Sequence, residues 1–183
     1  MLGFTRHYWY SLRMIPQKEL QRHIAWCAIG PTTLRRMCPP GGRRAVCKWL
    51  SEASLEPLRD DDLPATIDVW TRNICDKTRI PWGASRKSIN LFLRDLAYNW
   101  HMRQIFCLGA KESELEVPLD SKVMTALRRQ AATDLPMCSV VDLNPALSEC
   151  YQRAAEEEAR RRGIARVHLD LLYWAADPAV SVA

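Results

Sequence analysis

The stretch from about residue 85 to residue 103 constrains the fold of this chain most. Its apolar residues recur at the spacing of one face of an α-helix, at Ile89, Phe92, Leu93, Leu96, Ala97 and Trp100. A second, polar stripe of the same helix contains Lys87, Asn90, Arg94 and Tyr98. An apolar face this wide has to pack against other elements. The sequence therefore predicts a core helix on which Lys87 is displayed beside the buried face.

The remaining sequence also predicts helices. Apolar spacing or cap residues mark helices at 18–29, from 43, at 63–78, from 120, at 144–162 and at 166–176. No stretch keeps the alternation of polar and apolar residues that is typical of a β-strand. We predict one all-α domain over residues 1–183, whose helices could form two lobes around a cleft.

The charge and the cysteine content exclude few functions and favour a protein without disulfides or bound metal. The net charge of +5 permits an anionic partner such as nucleic acid without requiring one. Seven scattered cysteines favour reduced thiols over a disulfide framework, a structural zinc site or an iron–sulfur cluster. No secretion signal and no apolar run of membrane-spanning length is present in the sequence. We expect a soluble, cytoplasmic monomer without a cofactor or a metal ion.

Two short segments contain the candidate chemistry. Residues 83–87 are Gly-Ala-Ser-Arg-Lys, after a predicted tight turn at 79–84, and residues 117–123 are Val-Pro-Leu-Asp-Ser-Lys-Val. The first resembles the hairpin of helix-hairpin-helix DNA glycosylases, in which Gly-x-Gly commonly precedes a basic pair. The second resembles that family's aspartate at the head of a helix. The resemblance covers roughly residues 63–127, with the hairpin motif at about 63–103 and C-terminal helices following at about 120–176.

The spacing of the two segments indicates one branch of this family, and two residues of the hairpin depart from its pattern. Asp120 follows Lys87 by 33 residues, a separation most similar to the archaeal 8-oxoguanine DNA glycosylase branch. Ser85 replaces the second glycine of the hairpin, and Trp82 stands where a proline is usual. The substitution at Ser85 makes the hairpin geometry the weakest part of the comparison.

The resemblance implies a DNA glycosylase with abasic-site lyase activity, acting on double-stranded DNA in the nucleoid. Lys87 would attack C1′ of the deoxyribose and form a Schiff base with the opened sugar. Asp120 would stabilise the cationic sugar and help to deprotonate the lysine. An oxidised purine is the first substrate that the spacing suggests.

The resemblance also implies how DNA is held. The predicted phosphate contacts come from the start of the helix and from basic residues beside it: Gly83, Ala84, Ser85, Arg86, Lys77 and Arg79. The side chains predicted to line the cleft are Asn90, Arg94 and Trp82. The arginine-rich segment 35–44 could contact DNA or simply be exposed.

Other functions are compatible with the same sequence. The chain could be a non-catalytic DNA-binding protein that uses the hairpin, or a glycosylase-fold toxin or defence factor acting on foreign nucleic acid. A helical protein–protein module is a third alternative. His168 and Asp170 suggest a metal site, but two ligands are too few to define one.

Overall fold

The computed structural model describes residues 15–59, 62–131 and 134–175. These ranges contain no β-strand, so the predicted all-α class is confirmed for them. The α-helices are α1 (Gln17–Ala28), α2 (Gly42–Glu52), α3 (Leu63–Thr78), α4 (Trp82–Tyr98), α5 (Trp100–Ile105), α6 (Ser121–Gln130), α7 (Pro145–Arg162) and α8 (Leu169–Ala175). Short 3₁₀ turns lie at Glu56–Arg59, Val140–Asp142 and Arg166–His168. Within the described ranges, every helix is too short or too polar to cross a membrane.

Polar side chains start several helices, as their positions in the sequence predict. Asp62 accepts a hydrogen bond from the Ala65 N–H at 2.9 Å, and Asn144 accepts one from the Leu147 N–H at 3.0 Å. Each satisfies an N–H group that has no partner within its own helix. Gly163 ends α7 in the left-handed conformation, with φ of 68°.

The buried apolar residues form two clusters, and α4 is the central element of the first. That cluster contains the inward faces of α1 to α5, and the second contains those of α6 to α8 with the segment 117–119. Helix α4 packs against α1, α2, α3 and α5, and it also contacts the 140–142 turn, which belongs to the second cluster. The predicted apolar face of α4 is confirmed from Ile89 to Ala97, all of it buried.

The predicted helix at 85–103 is wrong in its extent, because the chain breaks at Asn99. Asn99 is extended, with ψ of 111°, and its side chain accepts a hydrogen bond from the Met102 N–H at 3.1 Å. A new helix, α5, therefore starts at Trp100. The change of direction leaves Trp100 73% exposed and buries Met102 in its place.

The start of α4 also differs from the predicted hairpin. The helix begins at Trp82, so the turn contains only residues 79–81, with Arg79 in the left-handed region at φ 56°. Gly83 lies in the first helical turn. A Cβ atom at Gly83 would lie 2.0 Å from the Val140 carbonyl oxygen. Gly83 is therefore required for close packing against the second cluster, and the prediction that it starts a phosphate-binding turn is wrong.

Candidate active site

A cavity of ≈ 440 Å³ lies where the two clusters meet. We call it the Lys87 cavity. Residues from the end of α1, the 32–37 turn and α4 form one wall, and residues from the start of α6 and from α8 form the other. Four of its side chains are ionisable: Lys87, Arg94, Asp120 and Asp170. The structure thus brings the predicted nucleophile and its predicted partner to one cavity, together with two further charges.

Lys87 is more buried than the sequence indicated. It is only 7% exposed, because the 32–37 turn covers α4 at this point, and its Nζ donates a hydrogen bond to the Thr33 carbonyl oxygen at 3.1 Å. Burial lowers the pKa of Lys87, while the carboxylates of Asp120 and Asp170 act against that shift. The predicted display of Lys87 on a polar surface stripe is wrong. The burial nevertheless favours the neutral amine that a nucleophile requires.

Asp120 is held by two donors. Its Oδ1 accepts a hydrogen bond from the Val123 N–H at 2.8 Å and caps α6, as predicted. Its Oδ2 accepts a hydrogen bond from Trp174 Nε1 at 3.1 Å. An ionised carboxylate can accept several hydrogen bonds at once. The two contacts therefore fix its orientation at the cavity wall and leave lone pairs for a further partner.

Asp170 is the site residue that sequence reasoning missed. It is 1% exposed, lies on α8, and forms a hydrogen-bonded ion pair with Arg94, which also binds Asp95 at 2.7 Å. Burial raises the pKa of Asp170, and Arg94 counteracts that rise. The available signal was one carboxylate inside the otherwise apolar run from Leu169 to Tyr173, since a buried acid is rare unless it is paired.

His168 and Asp170 do not form the metal site that their spacing in the sequence suggests. His168 stacks on Tyr98 with ring centroids 5.6 Å apart, and its Nε2 lies 3.1 Å from Glu112. Its partners therefore lie outside the Lys87 cavity. In the ranges described, no group of three or more His, Cys, Asp or Glu side chains is arranged to hold a metal ion.

The other predicted site residues divide between several locations. Arg94 lines the Lys87 cavity. Asn90 does not, because it is 2% exposed and donates to Glu116 at 2.8 Å. Trp82 lines a separate cavity of ≈ 540 Å³ beside Arg86. The prediction that Asn90 and Trp82 line a cleft together with Lys87 is therefore wrong.

The predicted phosphate contacts at the start of α4 are also corrected. Ala84 and Ser85 are completely buried, and Gly83 is covered by the 140–143 segment. Arg86 is 8% exposed, and its guanidinium is bound by Glu116 and Asp68. None of these residues presents a surface to DNA. These residues are buried because α4 starts at residue 82, so that they lie in its first turns and pack in the core.

The remaining basic residues of the prediction are exposed but lie outside the Lys87 cavity. Lys77 is in the last turn of α3, and Arg79 ends that helix. Exposed arginines also lie closer to the cavity, at Arg35 and Arg36, within the same turn that provides Thr33 to its wall. Neither Arg35 nor Arg36 forms an ion pair with a described carboxylate. Arg36 is in the left-handed region, with φ of 64°.

Comparison of the chain with protein-family models, curated proteins and solved structures finds no match. The chemistry of the site is therefore inferred from its residues. A buried amine with a lowered pKa can attack an electrophilic carbon, and a neighbouring carboxylate can accept a proton or stabilise positive charge.

Proposed function

We propose that the protein is a DNA glycosylase with an associated abasic-site lyase activity. The observation that carries the proposal is the buried Lys87 amine in one cavity with Asp120. The segments that contain these two residues are those that resemble helix-hairpin-helix glycosylases. The cavity also contains an aromatic wall, Trp174, on which an extruded base could stack.

The reaction follows from the proposed roles. The neutral Lys87 nitrogen forms a bond to C1′ while the bond from C1′ to the base breaks, and the base leaves with the bonding electrons and gains a proton. The lysine nitrogen then loses a proton, and the C1′–O4′ bond breaks as O4′ takes up a proton, which opens the sugar ring and gives a protonated Schiff base. Loss of a proton from C2′ expels the 3′ phosphate and cuts the strand. Hydrolysis of the remaining Schiff base frees the lysine.

Asp120 has two tasks in this scheme. Its carboxylate stabilises the positive charge that develops at C1′, and it accepts a proton from the attacking nitrogen. The capping bond to Val123 and the bond from Trp174 keep it oriented before the substrate binds. An oxidised purine remains the first substrate to test.

The proposal is tested by incubating the protein with duplexes that contain 8-oxoguanine, uracil or an abasic site, and then adding borohydride. We expect a covalent adduct with abasic DNA, because borohydride reduces a Schiff base to a stable amine. Base release from one of the other duplexes would identify the substrate class. Tight binding without adduct or base release on any duplex would overturn the proposal and leave a DNA-binding protein.

DNA contact is expected at the cavity side of the molecule, through Arg35 and Arg36. Replacing both by glutamine should weaken DNA binding and reduce the slope of log K against log salt by about 2, because each phosphate contact contributes about 0.9. The matched control replaces Lys77 and Arg79, which are also basic and exposed but lie at the junction of α3 and α4, away from the turn that lines the cavity. Fluorescence anisotropy over a salt series measures the DNA affinity and the salt slope of each variant. A smaller slope for the control pair alone would move the DNA to the junction of α3 and α4.

A further inference from the structure

Glu116 occupies a partly buried position between α4 and the segment that leads to Asp120. Its side chain is 12% exposed and accepts three hydrogen bonds from α4. Arg86 donates through Nε at 2.8 Å and through Nη2 at 2.6 Å, one to each carboxylate oxygen. Asn90 donates through Nδ2 at 2.8 Å. We call Arg86, Asn90 and Glu116 the Glu116 cluster.

The two donors lie on either side of Lys87 in the sequence. Arg86 precedes Lys87 by one residue, and Asn90 follows it by three, which is nearly one helical turn. Both side chains are almost fully buried. A carboxylate bound bidentately by arginine has a defined direction as well as a favourable charge. The position of α4 around Lys87 is therefore fixed relative to Glu116.

The segment after Glu116 is fixed by a second device. Val117 has no regular secondary structure, yet its N–H donates to Gln152 Oε1 at 3.1 Å and its carbonyl accepts from Gln152 Nε2 at 2.9 Å. Gln152 lies on α7 and is 3% exposed. Three residues, Val117 to Leu119, then connect Glu116 to Asp120 and are all buried. Little freedom is left between Glu116 and Asp120.

We infer that Glu116 is a positioning residue that sets the separation of Lys87 and Asp120 by joining α4 to the segment preceding α6. This inference depends on the proposed function, since it concerns the two groups that would react. The apolar residues around Lys87 and around Asp120 belong mainly to different hydrophobic clusters, so their separation depends on the contacts that join the clusters. The Glu116 cluster supplies a charged contact between α4 and the segment preceding α6. A displacement of about 1 Å can reduce a reaction rate by about 10²-fold.

The first test is Glu116→Gln. A glutamine has only one acceptor oxygen for the three donors, so at least one bond from α4 is lost. We expect the single-turnover rate of adduct formation with abasic DNA to fall about 10- to 100-fold, with the DNA Kd changed less than about twofold. The matched control is Glu158→Gln, which removes a carboxylate paired with Arg161 and Arg162. Glu158 does not line the Lys87 cavity, and its variant should react at the wild-type rate.

A second variant separates positioning from general stability. The Oδ1 atom of Asn90 is buried and has no hydrogen-bond donor among the described residues. Asn90→Leu removes this unsatisfied oxygen, which offsets the loss of the bond to Glu116, so the Tm should change little. It also removes one contact to Glu116, so the adduct rate should still fall, on the order of 3- to 10-fold.

The outcomes distinguish the two proposals. If the wild-type protein forms no adduct, the proposed function fails. The wild type could form the adduct while Glu116→Gln and Asn90→Leu both fold and react at the wild-type rate. In that case the positioning role of Glu116 is wrong and the proposed function stands. A fall in rate that follows Tm across all three variants, Glu158→Gln included, would also overturn the positioning role.

Discussion

Replacing Lys87 with alanine is expected to abolish the borohydride-trapped adduct with abasic DNA, a loss of at least about 10³-fold. The amine supplies the atom that bonds to C1′, and Lys87 is the one lysine among the described residues that line the cavity. Lys111 is a matched control, because it too is 7% exposed and donates to a backbone carbonyl, that of Leu58, at 3.0 Å. Lys111→Ala should keep the adduct, provided that circular dichroism shows it to be folded. An adduct that persists in Lys87→Ala would exclude Lys87 as the nucleophile.

The pH dependence of the same reaction tests the state of the amine. Only neutral Lys87 can attack, so the rate should rise with pH while the amine loses its proton. Burial lowers the pKa of Lys87 below its ordinary value of 10.5, although Asp120 and Asp170 limit the shift. The rate should therefore reach half of its maximum below pH 10.5. Rapid-quench trapping over a pH series measures this profile, and a half-maximal rate at or above pH 10.5 would contradict it.

The parts of the fold that sequence patterns predict are those set by neighbours along the chain. The apolar face of α4 and the caps at Asp120 and Asn144 each depend on residues within about one helical turn or a few turns. The structure agrees with these predictions. Local patterns predict them because helix packing and capping use short, regular spacings.

The parts that were mispredicted depend on distant contacts. Gly83 has no side chain because the Val140 carbonyl lies beside it, 57 residues further along the chain. Lys87 is buried because the 32–37 turn packs over α4, and helical periodicity cannot reveal a cover provided by another element. Asp170 enters the site from α8 through Arg94, 76 residues away in sequence. Each of these long-range contacts buries a residue that the local sequence pattern does not place in the core.

The same contrast explains why the sequence named Lys87, Asp120 and Arg94, which line one cavity, and did not place Asp170 with them. Lys87 and Asp120 stand in short segments that resemble a family, and a resemblance of that kind survives local errors in helix boundaries. The residues that tune the site, Arg94 and Asp170, are recognised by burial and charge pairing. Burial and pairing are properties of the folded chain.

Asp120→Asn is expected to reduce base excision and adduct formation by about 10²- to 10³-fold while leaving DNA affinity nearly unchanged. Asparagine is as good an N-cap as aspartate, so the bond from the Val123 N–H and the start of α6 should be kept. What is lost is the negative charge, together with an acceptor for Trp174 Nε1. Thermal unfolding checks the fold, and single-turnover excision measures the chemistry.

Trp174→Phe separates these two losses. It removes the hydrogen bond to Asp120 but keeps the carboxylate, and its ring can still lie beside Lys122, whose Nζ is 4.3 Å from the centre of the tryptophan ring. We expect this variant to retain most of the excision rate, because the charge of Asp120 is the feature that stabilises C1′. If Trp174→Phe loses as much as Asp120→Asn, the orientation of the carboxylate limits the reaction. A folded Asp120→Asn protein that excises at the wild-type rate would reduce Asp120 to a helix cap, and Asp170 would then be the remaining carboxylate of the cavity able to act on Lys87.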